Sequence, residues 1–118
     1  MMSQSITATS TKLTFAEYLF YQGEPDVLYE LFRGQLIPMA APTALHTRIC
    51  NYLVYQFQRY FANANISLIA TSSTGVRTEE NSSRIPDVVV CTQKLWEQVC
   101  DRSGAGVLDF DEVPQLVV

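Results

Sequence analysis

Asp87 stands in the stretch RIPDVVVC, between a proline and three valines. Pro86 restricts its predecessor to extended backbone and Val88, Val89 and Val90 favour a strand, so the sequence predicts Asp87 at the mouth of a buried strand. A lone carboxylate at the edge of an apolar core is costly. Three kinds of partner relieve it: an arginine, backbone amides, or a hard divalent cation. Glu30, in YELFRG, raises the same question, because strand alternation sends Tyr29, Leu31 and Arg33 to one face and Glu30 with Phe32 to the other. Taken alone, Glu30 is satisfied by solvent or by a nearby arginine. Taken together, two acids on neighbouring strands could share one Mg²⁺ or Mn²⁺ ion.

Other chemistries are poorly supplied. The chain has one histidine and three cysteines, Cys50, Cys91 and Cys100, with no CxxC spacing, so neither a zinc site nor a disulfide scaffold is expected. Reduced and mostly buried thiols are expected instead. No GxSxG stretch is present, and one histidine among many serines gives no basis for a serine triad. The only lysines, Lys12 and Lys94, do not follow an acid at acid-x-Lys spacing. A net charge of -4 opposes tight nonspecific binding to nucleic acid, whose affinity comes from many cationic side chains releasing counterions. Any such binding must depend on a local site or a bound cation.

Positioning these residues falls to a single α/β domain. At 118 residues with 47% hydrophobic composition, the chain can bury one core. Residues 1–12 are small and polar, which predicts a flexible leader rather than a secretory signal, ahead of one domain over residues 13–118. No run approaches the length of a membrane span, and a cytoplasmic setting is expected. Thr14 and Glu17 have capping-box spacing, with Leu13 and Tyr18 placed as a hydrophobic staple, so a helix is predicted from Phe15 to about Tyr21. Val27 to Phe32 and Gln35 to Met39 read as a hairpin turning at Arg33-Gly34. Beyond Pro42, with Thr43 as N-cap, Leu45, Ile49, Leu53 or Tyr52, Phe57 and Phe61 recur at helical spacing. The aromatic residues Tyr52, Tyr55, Phe57, Tyr60 and Phe61 on this helix are expected in the core, with a few rims free for another subunit.

Further strands are predicted in ISLIATSST, in VRT after Gly75, in the stretch through Val88 to Val90, and in the final QLVV. A helix over TQKLWEQVC and loops at Ser103 to Gly106 and DFDEVP complete the pattern. The order predicts one mixed sheet with helices packed on it. An apolar strand ending the sequence without a turn or charged tail reads as the N-terminal portion of a longer domain.

YELFRGQL, the helix containing ALHTRI, then TGVR, RIPDVVV and PQLVV together resemble the Uma-type restriction endonuclease family of the PD-(D/E)xK nuclease superfamily. The resemblance runs from Leu13 onward. It implies a restriction-endonuclease-like fold in which Asp87 is the acid of the PD motif, and Glu30 and Asp87 are catalytic metal ligands for Mg²⁺ or Mn²⁺. The reaction implied is DNA hydrolysis, in which the metal polarises a phosphodiester and activates water. The family's acid-x-Lys element is expected on the strand that QLVV opens, but no such triplet occurs, so the 118-residue chain alone is expected to be inactive.

Under the same resemblance His46, Arg77 and Arg84 become candidate substrate contacts. His46 in the first turn of the long helix could meet phosphate or metal-bound water, or serve only in capping and packing. Arg77 and Arg84 flank the EENSS turn and could touch the DNA backbone, or pair with Glu79, Glu80 or Asp87. The alternative is a different class of protein: a non-catalytic dimerising or partner-binding scaffold whose Glu30 and Asp87 are neutralised by Arg33, Arg77 or Arg84. A homodimer is expected under either reading, from the frequency of two-fold assemblies.

Overall fold

Thr14 starts the first helix as its spacing requires. In a computed structural model that describes residues 12–118, the Thr14 hydroxyl accepts from the Glu17 amide at 3.2 Å, and the Glu17 carboxylate accepts from the Thr14 amide at 2.8 Å. Helix α1 covers Phe15–Leu19 and buries Phe15 and Tyr18. It is shorter than expected because Tyr21 bonds back to the Tyr18 carbonyl, three residues away, and closes the end as a turn. The leader expected over residues 1–12 lies, up to residue 11, outside the described residues.

Strands β1 (Tyr29–Phe32) and β2 (Gln35–Pro38) form the hairpin, with Phe32 opposite Gln35. Arg33 and Gly34 both have positive φ, +47° and +87°, as a two-residue turn matched to strand twist demands. Arg33 tolerates the left-handed conformation because its amide is held by the Ser82 hydroxyl at 2.8 Å, and Gly34 donates to the Asn81 carbonyl at 2.9 Å.

Helix α2 spans Ala44–Asn63, followed by β3 (Leu68–Thr71), β4 (Gly75–Glu79), β5 (Ser82–Arg84), β6 (Val89–Thr92), α3 (Gln93–Cys100), β7 (Val107–Leu108) and β8 (Leu116–Val117). The strands form two sheets rather than the single one expected. One is mixed, in the order β2-β1-β5-β4-β7, with β7 parallel to β4; the other, β3-β6-β8, is antiparallel. The chain leaves the first sheet after Arg84 and joins the second at Val89. Pro86 has no N–H to give to a ladder, so the connector cannot continue either strand. Asp87 therefore precedes β6 by two residues and is not part of it.

The apolar run after Asp87 is covered on both faces, as its lack of alternation predicts. Val88 and Val90 pack with Phe61, Leu53 and Phe57 of α2, whereas Val89 and Cys91 pack with Val99 of α3 and with Leu108 and Val76 of the first sheet. Strand β7 lies between the two expected loops, at residues for which the sequence predicts no element. It pairs with β4 because Gly75 lets the backbones approach: a Cβ there would lie 2.9 Å from a Val107 methyl.

Helix α2 departs from the expected core pattern. Leu53, Val54, Phe57 and Phe61 cover the second sheet, but Leu45, Ile49, Tyr52, Tyr55 and Tyr60 are all at least half exposed. Length accounts for Leu45 and Ile49, since twenty helical residues reach about 30 Å while a four-residue strand spans only about 13 Å. Tyr52, Tyr55 and Tyr60, beside the packed Leu53, Val54 and Phe61, instead lie off the helix face that meets the sheet. The first half of α2 overruns the sheet. The thiols also depart from expectation: Cys91 is buried, Cys50 is intermediate and Cys100 is exposed. Burial pushes the Cys91 thiol up from its ordinary value, which keeps it protonated and inert. No helix of the described residues is long and apolar enough to cross a membrane.

Candidate active site around Asp87

The connector between the two sheets fixes Asp87 by its backbone. Its amide donates to the Val118 carbonyl at 2.7 Å, and Val88 and Val118 bond reciprocally, so β8 sets the height of the carboxylate. The side chain is half exposed and meets the overrunning end of α2. There the Thr43 hydroxyl caps the His46 amide at 3.1 Å, and the His46 ring sends Nε2 to within 3.0 Å of Asp87 Oδ1. One helical turn further on, Cys50 Sγ lies 3.5 Å from the same Nε2. Ligating atoms of His46, Cys50 and Asp87 all lie within 4.8 Å of one another. Asp87 Oδ2 makes no hydrogen bond among the described residues.

Glu30 reaches the other end of the same connector. One carboxylate oxygen accepts from the Ile85 amide at 2.7 Å and the other pairs with Arg84 Nε at 3.2 Å. Only 17% of its side chain is exposed, so this pairing satisfies a largely covered acid. The two acids thus attach to one short segment, Arg84 to Asp87, from β1 and from the connector itself. Glu30 is not a member of the donor group around Asp87.

Arg77 is held away from both acids. Its guanidinium lies 4.1 Å from the Phe15 ring centre and 4.4 Å from that of Phe110, with Nη1 on Asp109 at 3.0 Å and two bonds to the Glu80 carbonyl. With 14% of the side chain exposed, it joins α1, β4 and the loop after β7 rather than facing solvent. The Phe110 amide, with Arg77 beside it, holds the Asp109 carboxyl below its ordinary range. Burial works against ionisation of Glu112, but its bonds from Arg102 and the Asp109 amide outweigh burial and lower it too.

Of the five residues singled out in the sequence, the fold therefore joins Asp87 to His46, joins Glu30 to Arg84, and ties Arg77 into the structural frame. Cys50 is a member of the group that the sequence reading does not single out. Its signal was the spacing His46-x-x-x-Cys50, which puts a ring nitrogen and a thiol on one helix face, where a count of CxxC pairs does not look. Two surface hollows, of about 450 and 280 Å³, lie elsewhere: Leu13, Arg33 and Asn81 line one, and Tyr18, Tyr29 and Val107 the other. Neither contains the Asp87 group, which occupies an open face.

A mixed sheet joined to a second layer of strands and flanked by helices is an α/β, restriction-endonuclease-like architecture. The same fold is seen in a crystal structure from Anabaena variabilis ATCC 29413 described as "a putative nuclease belonging to DUF820", which aligns with a TM-score of 0.60 at 18% identity over 80% of this chain and 51% of that one. Residues 15–118 match the Uma2 family, described as "Putative restriction endonuclease", and the chain belongs to that family. It spans about half the length of the solved relative. No curated protein matches it.

Proposed function

We propose that this chain supplies part of the active site of a metal-dependent DNA endonuclease, with Asp87 as a cation ligand. The observation that carries this reading is the contrast between the two acids. Glu30 has the partners of a structural carboxylate, an arginine and a backbone amide. Asp87 has neither for its side chain: half exposed, it faces a histidine ring and leaves one oxygen without a hydrogen bond among the described residues.

A carboxylate oxygen suits Mg²⁺ or Mn²⁺, and the adjoining imidazole nitrogen suits Mn²⁺ better than Mg²⁺. Asp87 would hold the ion, with Glu30 joining it when Arg84 releases the second acid. Bound there, a divalent ion polarises a phosphodiester and generates a nucleophilic water. His46 orients the Asp87 carboxylate and offers a nitrogen that can hold a proton beside the scissile phosphate. Arg84, more than half exposed, can exchange Glu30 for a phosphate oxygen. Residues 1–118 contain no acid-x-Lys triplet, so this reading requires that element from outside them. The DNA substrate rests on the family description, and a homodimer and a cytoplasmic setting belong to the same reading.

The Glu30–Arg84 pair favours a second reading, a non-catalytic scaffold of the same fold. Nicking of supercoiled plasmid by the natural full-length protein separates them. The nuclease reading expects cleavage that needs Mg²⁺ or Mn²⁺ and disappears in Asp87→Asn; cleavage that survives the substitution overturns the role given to Asp87, and none under either metal supports the scaffold.

A further inference from the structure

Cys50 has no role in the hydrolysis proposed above, yet it stands beside the residues that do. His46 and Cys50 occupy positions i and i+4 of α2, so both side chains leave one face a single turn apart. Asp87 is brought to that face by a separate device, its backbone bond to Val118, the residue that follows β8. Two independent elements thus deliver a nitrogen, a sulfur and an oxygen to one point.

The spacing of these atoms can be compared with a coordination shell. Zinc takes nitrogen and oxygen at about 2.0–2.2 Å and sulfur at about 2.3 Å, usually in a tetrahedron. Those bond lengths set ligand atoms apart by about 3.4 Å for nitrogen to oxygen and about 3.5 Å for nitrogen to sulfur. The observed separations from His46 Nε2 are 3.0 Å to Asp87 Oδ1 and 3.5 Å to Cys50 Sγ, with the third edge inside 4.8 Å. Two of the three edges are already near those of the shell, and His46 and Asp87, both half exposed, have room to adjust to it. The ligand types also discriminate, since a thiolate and an imidazole prefer a thiophilic ion over Mg²⁺.

We infer that His46, Cys50 and Asp87 form a three-ligand site for a thiophilic divalent cation of the Zn²⁺ class, and that this ion competes with the hard cation for Asp87. The first statement stands on the ligand geometry alone; the second rests on the hydrolytic reading. Binding converts the Cys50 thiol to a thiolate bonded to the metal and releases its proton to solvent. With Asp87 and His46 half exposed, a water can complete the fourth position. Zinc at this point takes the open carboxylate out of use and acts as an inhibitor rather than a cofactor.

The test uses purified, reduced full-length protein titrated with Co²⁺ and then Zn²⁺. The expected result is a sulfur-to-cobalt charge-transfer band that saturates at one equivalent and is erased by Zn²⁺. Cys50→Ser removes the band and weakens Zn²⁺ binding by roughly tenfold or more, since loss of a direct ligand exceeds the usual cost of disturbing its supporting shell. Cys100→Ser keeps the band and assigns it to Cys50. Zn²⁺ lowers the apparent Mn²⁺ affinity of the unsubstituted protein but not that of Cys50→Ser. Absence of the band, or Zn²⁺ affinity unchanged in Cys50→Ser, overturns the site; zinc-edge X-ray absorption without a sulfur neighbour overturns it even if the variant fails to fold. The two readings fail separately. A band with no competition against Mn²⁺ and no plasmid cleavage removes the hydrolytic reading and the competition while leaving the zinc site, whereas cleavage without a band removes only the zinc site.

Discussion

His46 Nε2 stands 3.0 Å from Asp87 Oδ1, a contact made by the first turn of a long helix with the connector between two sheets. The partners are 41 residues apart in the chain and both are half exposed. An exposed pair of this kind contributes at most about 1 kcal/mol to stability. Its importance lies in fixing the direction of a carboxylate whose second oxygen stays available.

Arg84→Ala tests whether Glu30 is only structural. The arginine is more than half exposed but its loss leaves one oxygen of the largely covered Glu30 without a partner, so the expected cost in urea unfolding is about 1–2 kcal/mol. Under the nuclease reading the substitution also frees a Glu30 oxygen for the cation, and Mn²⁺ affinity measured by calorimetry rises several-fold. Weaker Mn²⁺ binding in this variant would contradict that role for Glu30.

Arg77→Ala is expected to unfold the frame rather than change DNA contact specifically. It removes a guanidinium packed between two aromatic rings and bonded to Asp109, at an expected cost of about 2–3 kcal/mol. Arg77→Lys recovers little, because an ammonium cannot stack flat between the rings and serve two acceptors at once. Unfolding midpoints of the two variants check this, and a Lys variant as stable as the parent would contradict it.

Acid should weaken the same frame. Asp109 and Glu112 have folded-state values depressed below their unfolded values, which lie near 3.9 and 4.3 for ordinary Asp and Glu. Their contribution is fully present above the unfolded values and is lost as pH falls through the lower folded values. Stability is therefore expected to hold down to about pH 5 and to fall below about pH 4. Asp109→Asn flattens that fall, as read from urea midpoints across the acid range; an unchanged slope would count against Asp109.

Local chemistry made much of the fold legible. The Thr14 and Glu17 capping box, the Arg33-Gly34 turn and the Thr43 cap each announce themselves within a few residues, and each appears where expected. The continuous valine run correctly indicated a strand covered on both faces. What escaped depends on pairing across the chain. Strand β7 pairs closely with β4 at Gly75, where a Cβ would crowd Val107, and the division into two sheets follows from the partners taken by Ile85 and Asp87 on either side of a proline. Periodicity identifies the apolar stripe of α2 but neither how far the sheet beneath it extends nor which edge of the stripe faces it, so Leu45, Ile49 and Tyr52 do not enter the core. At the site, sequence pointed to Asp87, Glu30 and His46. Only the folded chain shows that Glu30 goes to Arg84, and that Cys50 joins the other two.

Manganese binding to the purified full-length protein and to Asp87→Asn tests the central claim most directly, read by calorimetry and by electron paramagnetic resonance of the free ion. The account predicts saturable binding to the unsubstituted protein, near one equivalent, and its loss in Asp87→Asn while circular dichroism stays the same. Equal Mn²⁺ binding by both proteins would contradict it and leave Asp87 as a partner of His46 with no ion to hold.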